Sequence, residues 1–296
     1  MGKIIFGILL ISVSKKYFPR GGGEQKGAVN MINFDRFPNG TRKILTMSYD
    51  DGKYYDRKLV EIFNKYGIRG SFHINAGYLN NKKLDRIDDT EVAELYKGHE
   101  ISAHGFTHRS LGIVPRELQV ADVWKDRLGL EKLAGYPVRG MSYPNGLYTD
   151  ETVAILKACG IEYCRVVETT GDFKMPRDFM RWHGTCHHND NLLDYAQKFL
   201  DMPYKNRPHL MYVWGHAKEF EVDGKWDMIE EFCKMMCGKD DIWYATNIEI
   251  VDYCNAIKQL RFSADCSIVY NPTALKLWFS QDGEAVSIES GETLRF

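Results

Sequence analysis

From Lys43 onward the chain alternates short β-rich runs with helix-patterned segments, and this alternation limits the fold more than any other feature. Strand candidates fall at 43–49, 70–76, 99–105, 138–143, 161–167, 179–185, 209–215 and 241–247. Between them lie segments with apolar residues at helical spacing, such as Leu59, Ile62, Phe63 and Tyr66, closed by Gly67. Thr246 and Glu249 form the capping-box spacing for a last helix. Strand and helix repeated seven or eight times require parallel strands with helical crossovers. About 220 residues suit one (β/α) barrel, near the ~250 typical of that architecture. An open doubly wound sheet is the competing topology, and element order alone does not separate the two.

Residues 261–296 change character: four short segments alternate apolar and polar residues between "NP", "DG" and "SGE" turns. They are expected to form a small antiparallel β appendage. At the other end, Lys3 precedes an apolar run from Ile4 to Val13 and then a Gly-rich stretch. The run is far short of the ~20 residues needed to span a bilayer, so no stable membrane span is expected. It reads either as a weak signal peptide or as an extension outside the fold. The expected organisation is therefore an extension at 1–30, a barrel at 31–260 and a β-rich tail at 261–296.

Net charge is -1, which gives no reason to expect nucleic acid as a partner. The cysteine count is odd (seven) and shows no disulfide framework, which points to reduced thiols and a cytoplasmic setting, with secretion the alternative if the leader is real. Oligomeric state is not readable.

In a parallel barrel the reactive residues sit where strands end at their C-terminal side. Asp50 and Asp51 end the first strand, His104 the third with His108 just beyond, "YPNG" the fourth, and His216 the seventh. Two histidines and one carboxylate make a facial metal site with open positions. A bound cation can hold one carboxylate of the adjacent pair while the other works as a base.

The stretches "LTMSYDDG", "SAHGFTH", "SYPNG" and "YVWGH" resemble the successive motifs of the polysaccharide deacetylases, that is, carbohydrate esterase family 4 or the NodB-homology domain. The resemblance covers roughly 43–255 and implies a distorted (β/α)7–8 barrel, often lacking one strand. It implies a divalent metal, Zn2+ or Co2+, and removal of acetyl groups from N-acetylated mono-, oligo- or polysaccharides. Motif by motif, Asp50 matches the catalytic base, Asp51, His104 and His108 the metal ligands, and His216 the general acid. The backbone N–H at Asn145 matches the oxyanion donor. Tyr143, Pro144, Trp182 and Trp214 are expected to line the substrate.

Two motifs depart from the family pattern. The third lacks its arginine, and the fourth lacks the aspartate that tethers the acid. Arg139 or Arg181 is expected to reach Asp50 instead. His187 and His188 read as rim or solvated-loop residues, Glu219 and Glu249 lie just past strand ends, and His73 reads as a satisfied, partly buried histidine. Competing functions are an O-acetyl esterase, a hydrolase of a non-sugar amide, and a carbohydrate-binding protein with a degenerate site.

Overall fold

The computed structural model describes residues 31–203 and 207–296, so the expected extension at 1–30 lies outside the described residues. The described residues divide into two units, one built from 43–203 and 209–251, the other from 31–42, 207–208 and 252–296.

The second of these holds a short strand β1 (Ile32–Asn33) and the five tail strands β11 (Arg261–Phe262), β12 (Ile268–Tyr270), β13 (Leu277–Gln281), β14 (Glu284–Ile288) and β15 (Thr293–Arg295). They make two three-stranded antiparallel sheets, β1-β13-β14 and β11-β12-β15. The appendage is thus antiparallel as expected, but it recruits Ile32 and Asn33, a pair too short to carry a periodicity signal.

The larger unit is a nearly closed parallel barrel. Its strands are β2 (Lys43–Asp50), β3 (Gly70–Ile74), β4 (Glu100–Ala103), β5 (Gly140–Ser142), β6 (Tyr163–Thr169), β7 (Trp182–Gly184), β8 (Cys186–His187), β9 (His209–Gly215) and β10 (Ile242–Tyr244). They run in the order β7-β6-β5-β4-β3-β2-β9-β8, with β10 also paired to β2. β7 pairs with β6 and β8 with β9, so one interrupted strand joins the two ends of the sheet. Thr185, at the interruption, donates its N–H to the Tyr212 carbonyl at 2.7 Å.

The helices are α1 (Asp56–Tyr66), α2 (Val92–Leu95), α3 (Arg116–Ala134), α4 (Asp150–Ala158), α5 (Leu192–Leu200), α6 (Ala217–Val222), α7 (Trp226–Met236) and α8 (Asn247–Ile257). Helix α2 is only four residues long: Glu91 turns back to cap the Asp88 N–H, which tightens the entry into a 3-10 turn. No helix among the described residues is long and apolar enough to cross a membrane.

All eight residues of β2 are buried, yet alternation still sorts them. Leu45, Met47 and Tyr49 join the apolar layer, whereas Thr46, Ser48 and Asp50 bond to polar groups inside the barrel. Asn247 is a hub of that interior. Its amide accepts from Thr46 Oγ1 (2.8 Å) and donates to the Tyr212 hydroxyl (2.7 Å), while its N–H donates to Ser71 Oγ (2.8 Å). Ser71 and the Tyr163 hydroxyl in turn donate to the Glu100 carboxyl, each at 2.7 Å. Buried polar groups left unpaired cost about 1–3 kcal/mol each. Asn247→Ala strands two partners, so we expect a loss of about 2–5 kcal/mol in urea unfolding; a loss under about 1 kcal/mol would show that the interior is wet enough to replace the amide.

Candidate active site

Asp50 ends β2 inside the barrel mouth at 3% exposure. One carboxylate oxygen pairs with the Arg165 guanidinium, which is fully buried on β6. The other accepts from Ser142 Oγ at 3.0 Å. Burial alone would raise this carboxyl, but Arg165, with His104, His73 and His216, outweighs it and holds Asp50 well below the usual carboxylate range. Asp50 is therefore ionised at neutral pH.

The same serine fixes His104. Ser142 Oγ lies 2.6 Å from His104 Nδ1, and the Ser142 carbonyl lies 3.1 Å from it. The hydroxyl proton goes to Asp50, so Oγ can only accept from the ring. Nδ1 then carries the proton and Nε2 keeps its lone pair. Burial pushes the His104 pKa down to about 4, which keeps the ring neutral. A neutral imidazole with a committed Nδ1–H is the form that ligates metal.

Around that lone pair the ligand atoms of Asp51, His104 and His108 all lie within 4.8 Å of one another. His108 Nε2 is 3.8 Å from Asp51 Oδ1, and the two imidazoles meet edge to face at 4.7 Å. Asp51 and His108 both adopt positive φ (89° and 51°), the conformational cost of turning both side chains toward one point. Arg86 holds Asp51 from outside at 3.3 Å. Two imidazoles and a carboxylate, one ring with its outer nitrogen committed, fit a divalent cation.

The loop that carries the histidines is held from several sides. Asp126 on α3 accepts the N–H groups of Ala76 (2.7 Å) and His104 (2.9 Å). Asp122 accepts from Thr107 N–H (3.1 Å) and hydroxyl (2.6 Å). Asn75 donates to the carbonyls of His104 (2.6 Å) and Gly105 (2.7 Å). Gly105 has φ 75°, and a Cβ there would come within 2.7 Å of Asp122, so only glycine fits.

His216 follows β9 and caps α6. Its Nδ1 lies 3.1 Å from Glu219 Oε1, one turn on. Burial lowers the His216 pKa, but the Glu219 bond and the charges of Asp50 and Asp51 prevail and leave it raised. Glu219 is the tether that the fourth motif does not supply.

Several expected site residues lie elsewhere. Neither Arg139 nor Arg181 reaches Asp50: Arg139 pairs with Glu162 (3.1 Å), and Arg181 with Asp150 and Asp178 (2.6 Å each). Arg165 holds the acid instead, from the middle of a strand where sequence gives no positional cue. Trp182 does not line substrate. It is fully buried, edge to face with Tyr163, Phe179 and Tyr212. Tyr143 is also buried, and its hydroxyl donates to the Met180 carbonyl at 2.9 Å. Pro144 is buried beside it, whereas Asn145 is exposed in the left-handed region (φ 58°) and donates to Ser110 Oγ at 2.9 Å. Trp214 is half-buried under the Arg165 guanidinium, 4.2 Å from ring centroid to Cζ. His73 is buried, 2.8 Å from Ser48 Oγ, and Glu249 caps Thr246 and pairs with Arg69. All seven cysteines are free thiols.

Fold and site together define a distorted parallel (β/α) barrel with a buried, ionised carboxylate and a two-histidine, one-carboxylate cluster at its rim. Residues 38–164 match the family model for polysaccharide deacetylase. A chitin deacetylase of Arthroderma benhamiae is 36% identical over 75 residues, which is 25% of this chain and 19% of that protein's length. A Mycobacterium smegmatis structure provisionally assigned as a polysaccharide deacetylase shares the fold, with TM-score 0.56 at 15% identity over 76% of this chain and 94% of that one.

Two outcomes check the site's wiring. Ser142→Ala frees the His104 tautomer, so zinc affinity measured by competition with a chelator should fall roughly 10–100-fold. Arg165→Met leaves Asp50 charged, buried and unpaired, which should cost about 3–5 kcal/mol in denaturant unfolding. An Arg165→Met variant as stable as the parent would mean that Asp50 is not ionised.

Proposed function

We propose that this chain is a metal-dependent hydrolase that removes acetyl groups from N-acetylated sugars. The observation that carries the reading is the His104 tautomer, set by a hydroxyl whose own proton is given to Asp50. Asp51, His104 and His108 would hold a divalent cation, with Zn2+ the first choice and Co2+ the second. When bound, it lowers the pKa of water and polarises the acetyl carbonyl.

The remaining work belongs to the chain. Asp50, held ionised by Arg165, accepts the proton of the attacking water. The water oxygen bonds to the acetyl carbon, and the carbon–nitrogen bond breaks. The nitrogen cannot leave as an anion, so His216 gives it a proton from Nε2 while Glu219 holds Nδ1. The Glu219 bond and the charges of Asp50 and Asp51 outweigh burial and raise the His216 pKa, which favours the protonated form. The family match supports the substrate class, since residues 38–164 include Asp50, Asp51, His104 and His108.

Acetate release from a panel of N- and O-acetylated saccharides tests the proposal. N-acetylated members should be hydrolysed, and Asp50→Asn should lower the rate by about 10²–10⁴-fold, the range for losing a general base. Turnover of O-acetyl sugars alone would make the protein an esterase, and none from any member by metal-loaded protein would favour a binding role. Activity should fall on the alkaline side as His216 loses its proton. Glu219→Gln removes the largest factor holding that proton, so the alkaline limb should move to lower pH. An unmoved limb would show that another group supplies the proton.

A further inference from the structure

A second cluster shares Glu219 with the proposed reaction, which makes no use of its two histidines. His187 ends β8, His188 follows it, and both bring Nε2 to the same oxygen of Glu219, at 3.2 Å and 2.9 Å from Oε2. The three ligand atoms lie within 4.8 Å of one another.

The His188 approach, at 2.9 Å, lacks hydrogen-bond geometry. His188 is fully buried, yet neither of its ring nitrogens has a hydrogen-bond partner. Its Nε2 is close to Oε2 without being lined up to donate to it. That arrangement is expected when neighbouring donors aim at a common third point. With zinc bonds of about 2.0–2.2 Å at about 90–110°, donor atoms sit about 2.9–3.4 Å apart, which brackets both observed separations. The chain also makes room for this ring, because a Cβ at Gly215 would come within 2.1 Å of His188 Nδ1. His187 and Glu219 are part-exposed, so the cluster opens to solvent on one side, where water could complete the coordination.

We propose that His187, His188 and Glu219 form a second divalent-metal site, distinct from Asp51, His104 and His108, with two imidazoles and one carboxylate suited to Zn2+. One local contact must yield. Asn189 N–H lies 3.2 Å from His187 Nδ1, and ligation through Nε2 moves the ring proton to Nδ1. Asn189 is exposed, so its N–H can turn to water. Glu219 would bind through Oε2 and keep Oε1 for His216, so an ion here would also fix the tether of the proposed acid.

Metal content of the full-length protein tests this without reference to activity. After equilibration with Zn2+ and gel filtration, elemental analysis should give two zinc per chain. Asp51→Ala and His188→Gln should each retain one, and the double variant none. His187→Gln alters a part-exposed ring and should also lose one equivalent, which covers the case that His188→Gln does not fold. One zinc in the parent, or an undiminished content in His187→Gln, would overturn the proposal.

Discussion

The chemistry of the barrel mouth depends on one hydroxyl. Ser142 stands between a buried carboxylate and a buried imidazole and can give its single proton to only one of them. Asp50, paired with Arg165, carries charge and takes that proton. His104 must then donate through Nδ1, and its Nε2 faces Asp51 and His108 with a free lone pair. The states of Asp50 and His104 are thus set by the same atom, and the charge of one dictates the tautomer of the other. The Arg165 pair therefore acts twice, keeping Asp50 ionised and, through Ser142, fixing the His104 tautomer.

The barrel supplies the conditions for that arrangement. Its interior is polar, threaded by Thr46, Ser71, Glu100, Tyr163, Tyr212 and Asn247, while the apolar layer lies between strands and helices. Such an interior can admit a guanidinium in mid-strand, provided that a carboxylate meets it. At the rim, α3 supplies two carboxylates that hold the backbone of the histidine loop, so the positive-φ geometry there is fixed by many bonds rather than by the loop alone.

Much of this was legible in the sequence. All eight expected strands are present, because each is a short β-rich run, and their parallel order follows from the helices between them. Asp50, Asp51, His104 and His108 converge because they lie at the C-terminal ends of β2 and β4, the two strands that flank β3, which position in the chain reveals. Arg165 was not legible: an arginine inside "YCRVV" looks like an ordinary strand residue until the barrel closes around it. Trp182 and Tyr143 were expected at the substrate, yet large aromatics at strand ends fill the core just as readily, and sequence does not record which way they turn. The partner of His216 comes not from the fourth motif but from a short helix directly after the histidine, which carried no periodicity of its own.

The central claim concerns a proton, and it can be read without metal or substrate. The most direct measurement is nitrogen NMR of the His104 ring in metal-free, ring-labelled protein near neutral pH, with Ser142→Ala for assignment. The account requires a neutral ring protonated at Nδ1, with Nε2 bare. A ring protonated at Nε2, or at both nitrogens, would mean that Ser142 does not set the ligand, and the link between base and metal site would fail.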